Sequence, residues 1–204
     1  MPDPSEQLIE RAKGGDVRAF EQLVEHHIPR VRRFARSMCV DVVEADDIAQ
    51  EALLKAYTSI RSYRFQSAFS TWLFRIVRNA FIDSIRSAQA KRRARTDGIE
   101  RASQARAPAI ERPDETLAQK EVREQLWQAL RELPLEFRTA VVLFDVEGMS
   151  HEEIAVVEAV AVGTVKSRLS RGRRQLRAVL TKGPRPLLGN DAITDFVQRE
   201  GTVP

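Results

Sequence analysis

The stretch Met149–Leu180, MSHEEIAVVEAVAVGTVKSRLSRGRRQLRAVL, constrains this chain most, because it joins a helix start, a tight break and a cation-loaded second helix. Ser150 followed by Glu153 predicts a capping box: the hydroxyl accepts from an orphan N–H of the first turn and the carboxylate reaches back. Gly148 just before it suits the end of a preceding helix. Ile154, Ala155 and Val157 give the first helix an apolar side, and the chain restarts at Val162–Gly163–Thr164. At about 100° per residue, Val165, Leu169 and Leu176 fall within about 40° of one another, and Lys166, Ser167, Ser170, Arg171 and Arg174 cover about 140° elsewhere. One side packs, while the other offers long cations interleaved with small hydroxyls. From Val162 to Lys182 there are seven Lys/Arg and no Asp or Glu. A solvated basic helix has the same composition. The capped helix and tight spacing in front of it favour a DNA-reading helix-turn-helix, with Arg or Lys on guanine edges and hydroxyls on bases or phosphates.

The chain's 204 residues leave room for one or two domains. A single cysteine, Cys39, excludes a disulfide framework and fits a reducing compartment. The segment MPDPSEQL lacks the basic region and apolar run of a signal peptide. Apolar runs such as Ala140–Phe144 are too short to span a bilayer. β-branched alternation is nearly absent, so the expected fold is all-helical. The net charge of +4 conceals strong segregation. Asp41–Glu51 holds five acids and no base, Ser84–Thr96 five bases and no acid, and Asp114–Val160 eleven acids against four bases. A simple nucleic-acid binder would be basic throughout; separate acidic surfaces suggest protein partners as well.

Asp3–Pro4–Ser5–Glu6 reads as a helix start, Gly14–Gly15 as its end, and Asp16 as the next cap. Phe20, Leu23, Val24, His27, Ile28, Val31, Ala35 and Met38 step by three and four, an amphipathic pattern that Pro29 should kink or split. His26 and His27 are adjacent and point apart, so no metal site is expected; one is a core-edge histidine and the other exposed. Cys39 reads as a small buried hydrophobe. In Glu44–Arg61, Ile48, Ala49, Ala52 and Ala56 share one side. Asp46, Asp47, Gln50 and Glu51 occupy another, with Leu54 in its middle. Periodicity leaves that face open between a solvated surface carrying a stray leucine and an apolar anchor ringed by carboxylates for a basic partner.

Ser62–Phe69 is a short aromatic and polar loop. Ser70 is expected to cap a helix Thr71–Arg86, with Phe69 and Phe74 as a hydrophobic staple. That helix buries Leu73, Ile76, Val77, Ala80 and Phe81 and carries Trp72, Arg75, Asn79 and Arg86 on its other edge. Aromatics and cations around a loop suit single-stranded DNA, although the same rings could serve as core. Arg95–Pro113 has no apolar period and reads as a linker that spans roughly 25 Å as a coil and about 60 Å stretched. Helices Asp114–Leu133 and Pro134–Glu147 follow, with Leu117, Leu126, Leu130, Phe137, Val141 and Phe144 as core. The expected boundaries are a domain over 1–94, a linker over 95–113, a domain over 114–182 and a tail over 183–204.

Five motifs in series, GDVRAFEQLVEHHIPRVRRFAR, VEADDIAQEALLKAY, FSTWLFRIVRNAFIDSIR, LPLEFRTAVVLFDVEGMSHEEIA and VGTVKSRLSRGRRQLR, resemble the extracytoplasmic-function group of bacterial σ factors over about residues 10–182. The resemblance implies a σ2-like bundle and a σ4-like helix-turn-helix domain. It implies that Asp46, Asp47, Gln50, Glu51 and Leu54 dock the clamp helices of the polymerase largest subunit. Tyr63, Arg64, Phe65, Ser67, Phe69, Trp72, Arg75 and Asn79 would read the −10 element of promoter DNA as it melts. Thr164, Lys166, Ser167, Ser170, Arg171 and Arg174 would read the −35 element beside the polymerase flap. It further implies a cytoplasmic protein restrained by an anti-σ factor, often membrane-linked. Two departures stand out: the turn between the DNA-binding helices is Glu158–Ala159–Val160–Ala161 where Leu–Gly is common, and Gly172 interrupts the basic helix at a propensity cost of about 1 kcal/mol.

No cofactor, metal, small-molecule substrate or catalytic residue is expected. There is no Gly-rich phosphate loop, metal-ligand spacing or nucleophile–base pair with defined context. The principal alternative is a helix-turn-helix regulator that binds operators without polymerase; it would need neither the acidic helix nor the aromatic loop.

Overall fold

A computed structural model describes the backbone of residues 6–94 and 117–182, with side chains over 6–90 and 121–181. The helix start expected at Asp3–Pro4, the linker 95–113 and the tail 183–204 lie outside the described residues. The described chain forms two compact helical units, with no strand among the described residues.

In the first unit, α1 (Glu6–Lys13) closes at the Gly14–Gly15 pair. Asp16 caps α2 (Val17–Glu25), accepting from the Ala19 amide at 3.1 Å. That bond, with a second from Arg11, holds the Asp16 carboxyl below its ordinary range. Pro29 splits the long amphipathic pattern: α3 (Ile28–Met38) restarts with the proline in its first turn, where a missing N–H is harmless. Phe20, Leu23, Val24, Val31, Ala35 and Met38 are buried, as is Cys39. His27 is buried against the Phe69 ring, while His26 is exposed.

The next helix, α4 (Val42–Ser59), begins two residues before Glu44 because Asp41 supplies an earlier cap, accepting from the Val43 amide at 2.7 Å. It packs on α3 and on α5 (Phe69–Ala94) around Phe34, Leu73, Phe74 and Val77. Ser70 does not cap α5. The Ala68 carbonyl already accepts from Trp72 at 3.1 Å, so Ser70 lies within the first turn. Trp72, expected on the open edge, is buried, whereas Ile76 is only half-buried.

The second unit contains α6 (Leu117–Glu132), α7 (Leu135–Val141), residues 151–155 of α8 (His151–Glu158) and α9 (Val162–Lys182). Pro134 precedes α7 and its carbonyl accepts from Phe137 and Arg138, both at 3.0 Å. The helix expected over Pro134–Glu147 forms, but only Leu135–Val141 is α-helical. After Val141 the chain widens into a π turn over Val142–Val146, closed by Glu147 N–H donating to the Val142 carbonyl at 2.9 Å. Gly148 then takes φ +68, and Met149 N–H donates to the Leu143 carbonyl at 3.0 Å. The left-handed glycine ends the element, and Met149 just after it is buried. The capping box of α8 forms as the sequence predicts, with Ser150 N–H donating to Glu153 at 2.8 Å and Glu153 N–H to Ser150 at 3.2 Å.

Ala159 ends α8 in the left-handed region, at φ 53 and ψ 47. For an L side chain that conformation costs about 1–2 kcal/mol, which glycine avoids. Ala159 is exposed, so its methyl contributes no packing in return. Ala159→Gly is therefore expected to stabilise the second unit by about 1 kcal/mol, raising its midpoint by about 4–8 °C. Scanning calorimetry of the full chain checks this; a lowered midpoint would contradict the strain argument.

Candidate nucleic-acid and protein interfaces

The facing of α9 follows from its apolar stripe. Val165, Leu169 and Leu176 are buried, which leaves Lys166, Ser167, Ser170, Arg171 and Arg174 exposed together. Thr164 is half-buried, and its carbonyl accepts from the Ser167 hydroxyl at 2.9 Å. Arg173 is held differently. Its Nε donates to Asp145 at 2.9 Å, and its guanidinium lies 5.0 Å from the Phe144 ring centre. The hydrogen bond to Asp145 raises the Arg173 pKa above its already high ordinary value. Both partners come from the π turn, and Phe144 also stacks on His151 at 4.7 Å. The wide turn thus anchors one cation of α9.

An open groove of about 520 Å³ runs along this surface, lined by His151, Lys166, Ser170, Arg173, Arg174 and Arg177, with Leu169 at its base. Arg177 stands at about 20° on the same helical projection as Lys166, so periodicity alone assigns it to this face. His151 belongs to α8 and no pattern within α9 reports it.

On α4, Ile48, Ala49, Ala52 and Ala56 are buried, turning Asp47, Gln50, Glu51 and Leu54 outward. Leu54 is 63% exposed and Val43, one turn before Asp47, is 68% exposed. The carboxylates are not equivalent. Asp46 is half-buried and pairs with Arg36 at 3.4 Å. Glu51 pairs with Lys55 at 2.8 Å, and Lys55 reaches Asp83 at 3.1 Å. The bond to Glu51 is the main reason the Lys55 pKa is raised. Asp47 makes no ion pair among the described residues, and it shares a helix face with Leu54 two turns on. Val43 lies one residue before the expected helix start at Glu44, so a sequence reading passes over it.

The loop before α5 separates its residues into two layers. Tyr63, Phe69 and Trp72 are buried and touch one another, with ring centres 5.4–5.8 Å apart. The Tyr63 hydroxyl donates to the Ser67 carbonyl at 2.7 Å and so closes the loop. These three rings therefore shape the loop in this state and do not present faces for stacking. Arg64, Phe65, Arg75 and Asn79 are exposed, and Ser67 is half-buried.

Comparison with known proteins agrees with both halves. The family model for Sigma-70 region 2 matches residues 23–91, and that for Sigma-70, region 4 matches residues 123–176. The chain is 35% identical over 193 residues to the RNA polymerase sigma-H factor of Pseudomonas aeruginosa, covering 91% of this chain and 96% of that protein. It is 36% identical over 177 residues to the ECF RNA polymerase sigma factor SigW of Bacillus subtilis, covering 84% and 94%. The σ factor RpoE of Bartonella quintana, solved with the anti-σ factor NepR, aligns with a TM-score of 0.69 and 31% identity, over 83% of this chain and 100% of that one. CnrH, solved with the cytosolic domain of CnrY, aligns with a TM-score of 0.61 and 28% identity, over 85% and 95%. With both region models matched in order and relatives aligned along most of its length, the chain belongs to the extracytoplasmic-function σ factors of the σ70 family.

Proposed function

We propose that this σ factor docks on core RNA polymerase through α4 and directs initiation at promoters that its two units read separately. Asp47, Gln50 and Leu54, flanked by Asp46 and Glu51, form the face offered to the clamp helices. Arg64, Phe65, Ser67, Arg75 and Asn79, supported by the buried Tyr63, Phe69 and Trp72, meet the −10 element as it melts. Thr164, Lys166, Ser167, Ser170, Arg171 and Arg174 meet the −35 element beside the polymerase flap. The observation that carries the reading is the presence in one chain of an acidic, leucine-centred face and a separate cationic helix. An operator-binding regulator has no need of the first.

Each good bidentate base contact contributes only about 1–3 kcal/mol, so neither reader alone selects a promoter from a genome. Tethering both to polymerase raises their effective concentration at correctly spaced elements. The chain acts as a DNA-binding transcription factor and leaves covalent chemistry to the polymerase, in the cytoplasm where promoter DNA is found. Among the described residues no helix is long and apolar enough to cross a membrane. An anti-σ factor restrains it; the solved complex of RpoE with NepR supports that expectation.

Transcription from a randomised promoter library with purified core polymerase tests the whole reading. The wild-type chain should select a −35 and a −10 sequence, and initiation no different from that of core alone would reject it. Lys166→Ala combined with Arg171→Ala removes two exposed side chains without touching the core. Selectivity at the upstream element is expected to fall by about ten-fold or more, with the −10 preference retained. An unaltered upstream preference would reject this facing of α9.

A further inference from the structure

The groove along α9 is lined by Lys166, Arg173, Arg174 and Arg177, and among the described residues no acidic side chain lines it. His151, on its rim from α8, is the lining residue whose charge is not fixed. Lysine and arginine stay protonated over the physiological range, whereas an imidazole gains or loses its proton between about pH 5 and about pH 8. Local chemistry holds the ring in place. The Ser150–Glu153 box fixes the first turn of α8, and His151 is the first residue of that helix. Its ring rests on Phe144 with centres 4.7 Å apart, and the Arg173 guanidinium lies 5.0 Å from the centre of the same Phe144 ring. His151 is half-buried there. The acids around it are engaged or turned aside. Asp145 accepts from Arg173 at 2.9 Å, and Glu153 accepts from the Ser150 amide at 2.8 Å. Glu152, next along α8, is exposed and projects about 100° round the helix from His151. A fifth positive charge in this groove therefore has cations for neighbours and takes its counter-charge from a bound anion.

We propose that His151 contacts a backbone phosphate of the duplex that α9 reads, that it does so as the imidazolium, and that DNA binding by the second unit therefore takes up a proton. This rests on the reading of α9 as the −35 contact, and adds to it a residue of α8 and a dependence on pH. One proton passes from solvent to the imidazole as the complex forms and returns when the duplex leaves. The coupling is reciprocal: a phosphate that favours the protonated ring is itself favoured by the proton, by the same factor. The sign follows from that. Affinity for the duplex rises as pH falls through the imidazole range and levels off below it. Above that range the ring is neutral and the charge-assisted part of the contact is lost. Phosphate contacts position a duplex without reading its sequence. The pH effect should therefore be the same for every −35 sequence, and the ranking of sequences should not change with pH.

The test uses full-length protein with core polymerase and a labelled duplex that carries the selected −35 sequence and stops short of the −10 element. Affinity is measured at fixed ionic strength at about pH 6 and about pH 8. The same titration with His151→Gln subtracts the pH dependence of every other group in the holoenzyme. Toward acid, the wild type is expected to gain about three-fold or more in affinity beyond the gain of His151→Gln. At the acid pH its plot of log affinity against log salt should be steeper by about one, and at the alkaline pH the two slopes should coincide. His151→Lys, charged throughout, should bind at about pH 8 as the wild type binds at about pH 6. Equal pH dependence in the wild type and His151→Gln would overturn the proposal. A ranking of −35 sequences that changes with pH would overturn the phosphate assignment. Affinity lost equally at both pH values, with a lowered thermal midpoint for His151→Gln, would assign the ring to packing on Phe144 and overturn it as well. If the wild-type holoenzyme prefers the −35 duplex to a scrambled one at neither pH, the −35 reading itself fails. That differs from failure of His151 alone, in which the sequence preference survives and the extra pH dependence is missing.

Discussion

Asp47→Arg protein is expected to flow through a column of immobilised core RNA polymerase that retains the wild-type chain. Asp47 is exposed, shares a face of α4 with Leu54, and is the carboxylate of that face with no ion pair among the described residues. Asp46 and Glu51 already share their charge with Arg36 and Lys55. Reversal at Asp47 therefore alters the field presented to a partner more than reversal at either neighbour. If the partner surface is basic, an attraction becomes a repulsion, and like charges juxtaposed in an interface cost several kcal/mol. At about 1.4 kcal/mol per decade, affinity should fall by about a hundred-fold or more. The substitution leaves the Asp41 cap and the buried Ile48, Ala49 and Ala52 untouched, so the thermal midpoint should move little. Retention equal to wild type would remove α4 from the polymerase interface. Retention lost together with the fold would be visible as loss of helical circular dichroism.

The features legible in the sequence are those whose cause lies within a few residues. The split at Pro29 follows from a ring that fixes φ, and it appears as the break between α2 and α3. The Ser150–Glu153 box needs only the two ends of one turn and forms as expected. The cationic face of α9 follows from the spacing of Val165, Leu169 and Leu176, all buried. The Asp41 cap is equally local, but a start at Glu44 passes over it, and α4 begins at Val42 instead.

What the sequence does not report depends on partners far along the chain. The π turn at Val142–Val146 places Asp145 against Arg173, a contact spanning 28 residues, and nothing in VLFDV distinguishes it from ordinary helix. Periodicity puts Trp72 on an open edge, but the ring is drawn inward by Tyr63 and Phe69, which meet it through the closed loop. The same closure divides the −10 residues into buried supports and exposed contacts. Composition alone does not separate the buried rings Tyr63, Phe69 and Trp72 from the exposed Phe65. The left-handed backbone at Phe65 is likewise invisible in the sequence, since no residue there signals a turn that would demand it.

Gly172 provides the sharpest contrast between local and tertiary reasoning, because the two predict opposite signs for one substitution. From helix propensity alone, Gly172→Ala should stabilise α9 by about 1 kcal/mol. In the fold, however, α9 crosses α7 at this glycine. A Cβ there would stand 2.8 Å from Val141 Cγ2, 3.1 Å from the Phe137 carbonyl oxygen and 3.3 Å from Phe137 Cβ. Val141 is buried with its side chain packed, and a backbone carbonyl cannot rotate away. Overpacking of this kind costs about 1–3 kcal/mol, and here the two helices must separate to accept the methyl. Gly172→Ala is expected to lower the midpoint of the second unit, and Gly172→Leu to prevent its folding. Gly163 supplies the control within the same helix, since nothing lies within 4 Å of its would-be Cβ. Gly163→Ala should leave stability unchanged or raise it by up to about 1 kcal/mol. Denaturant titrations of the three variants decide the matter. If Gly172→Ala matches Gly163→Ala in sign, the close crossing of α7 and α9 is wrong, and with it the surface on which the cationic face is mounted.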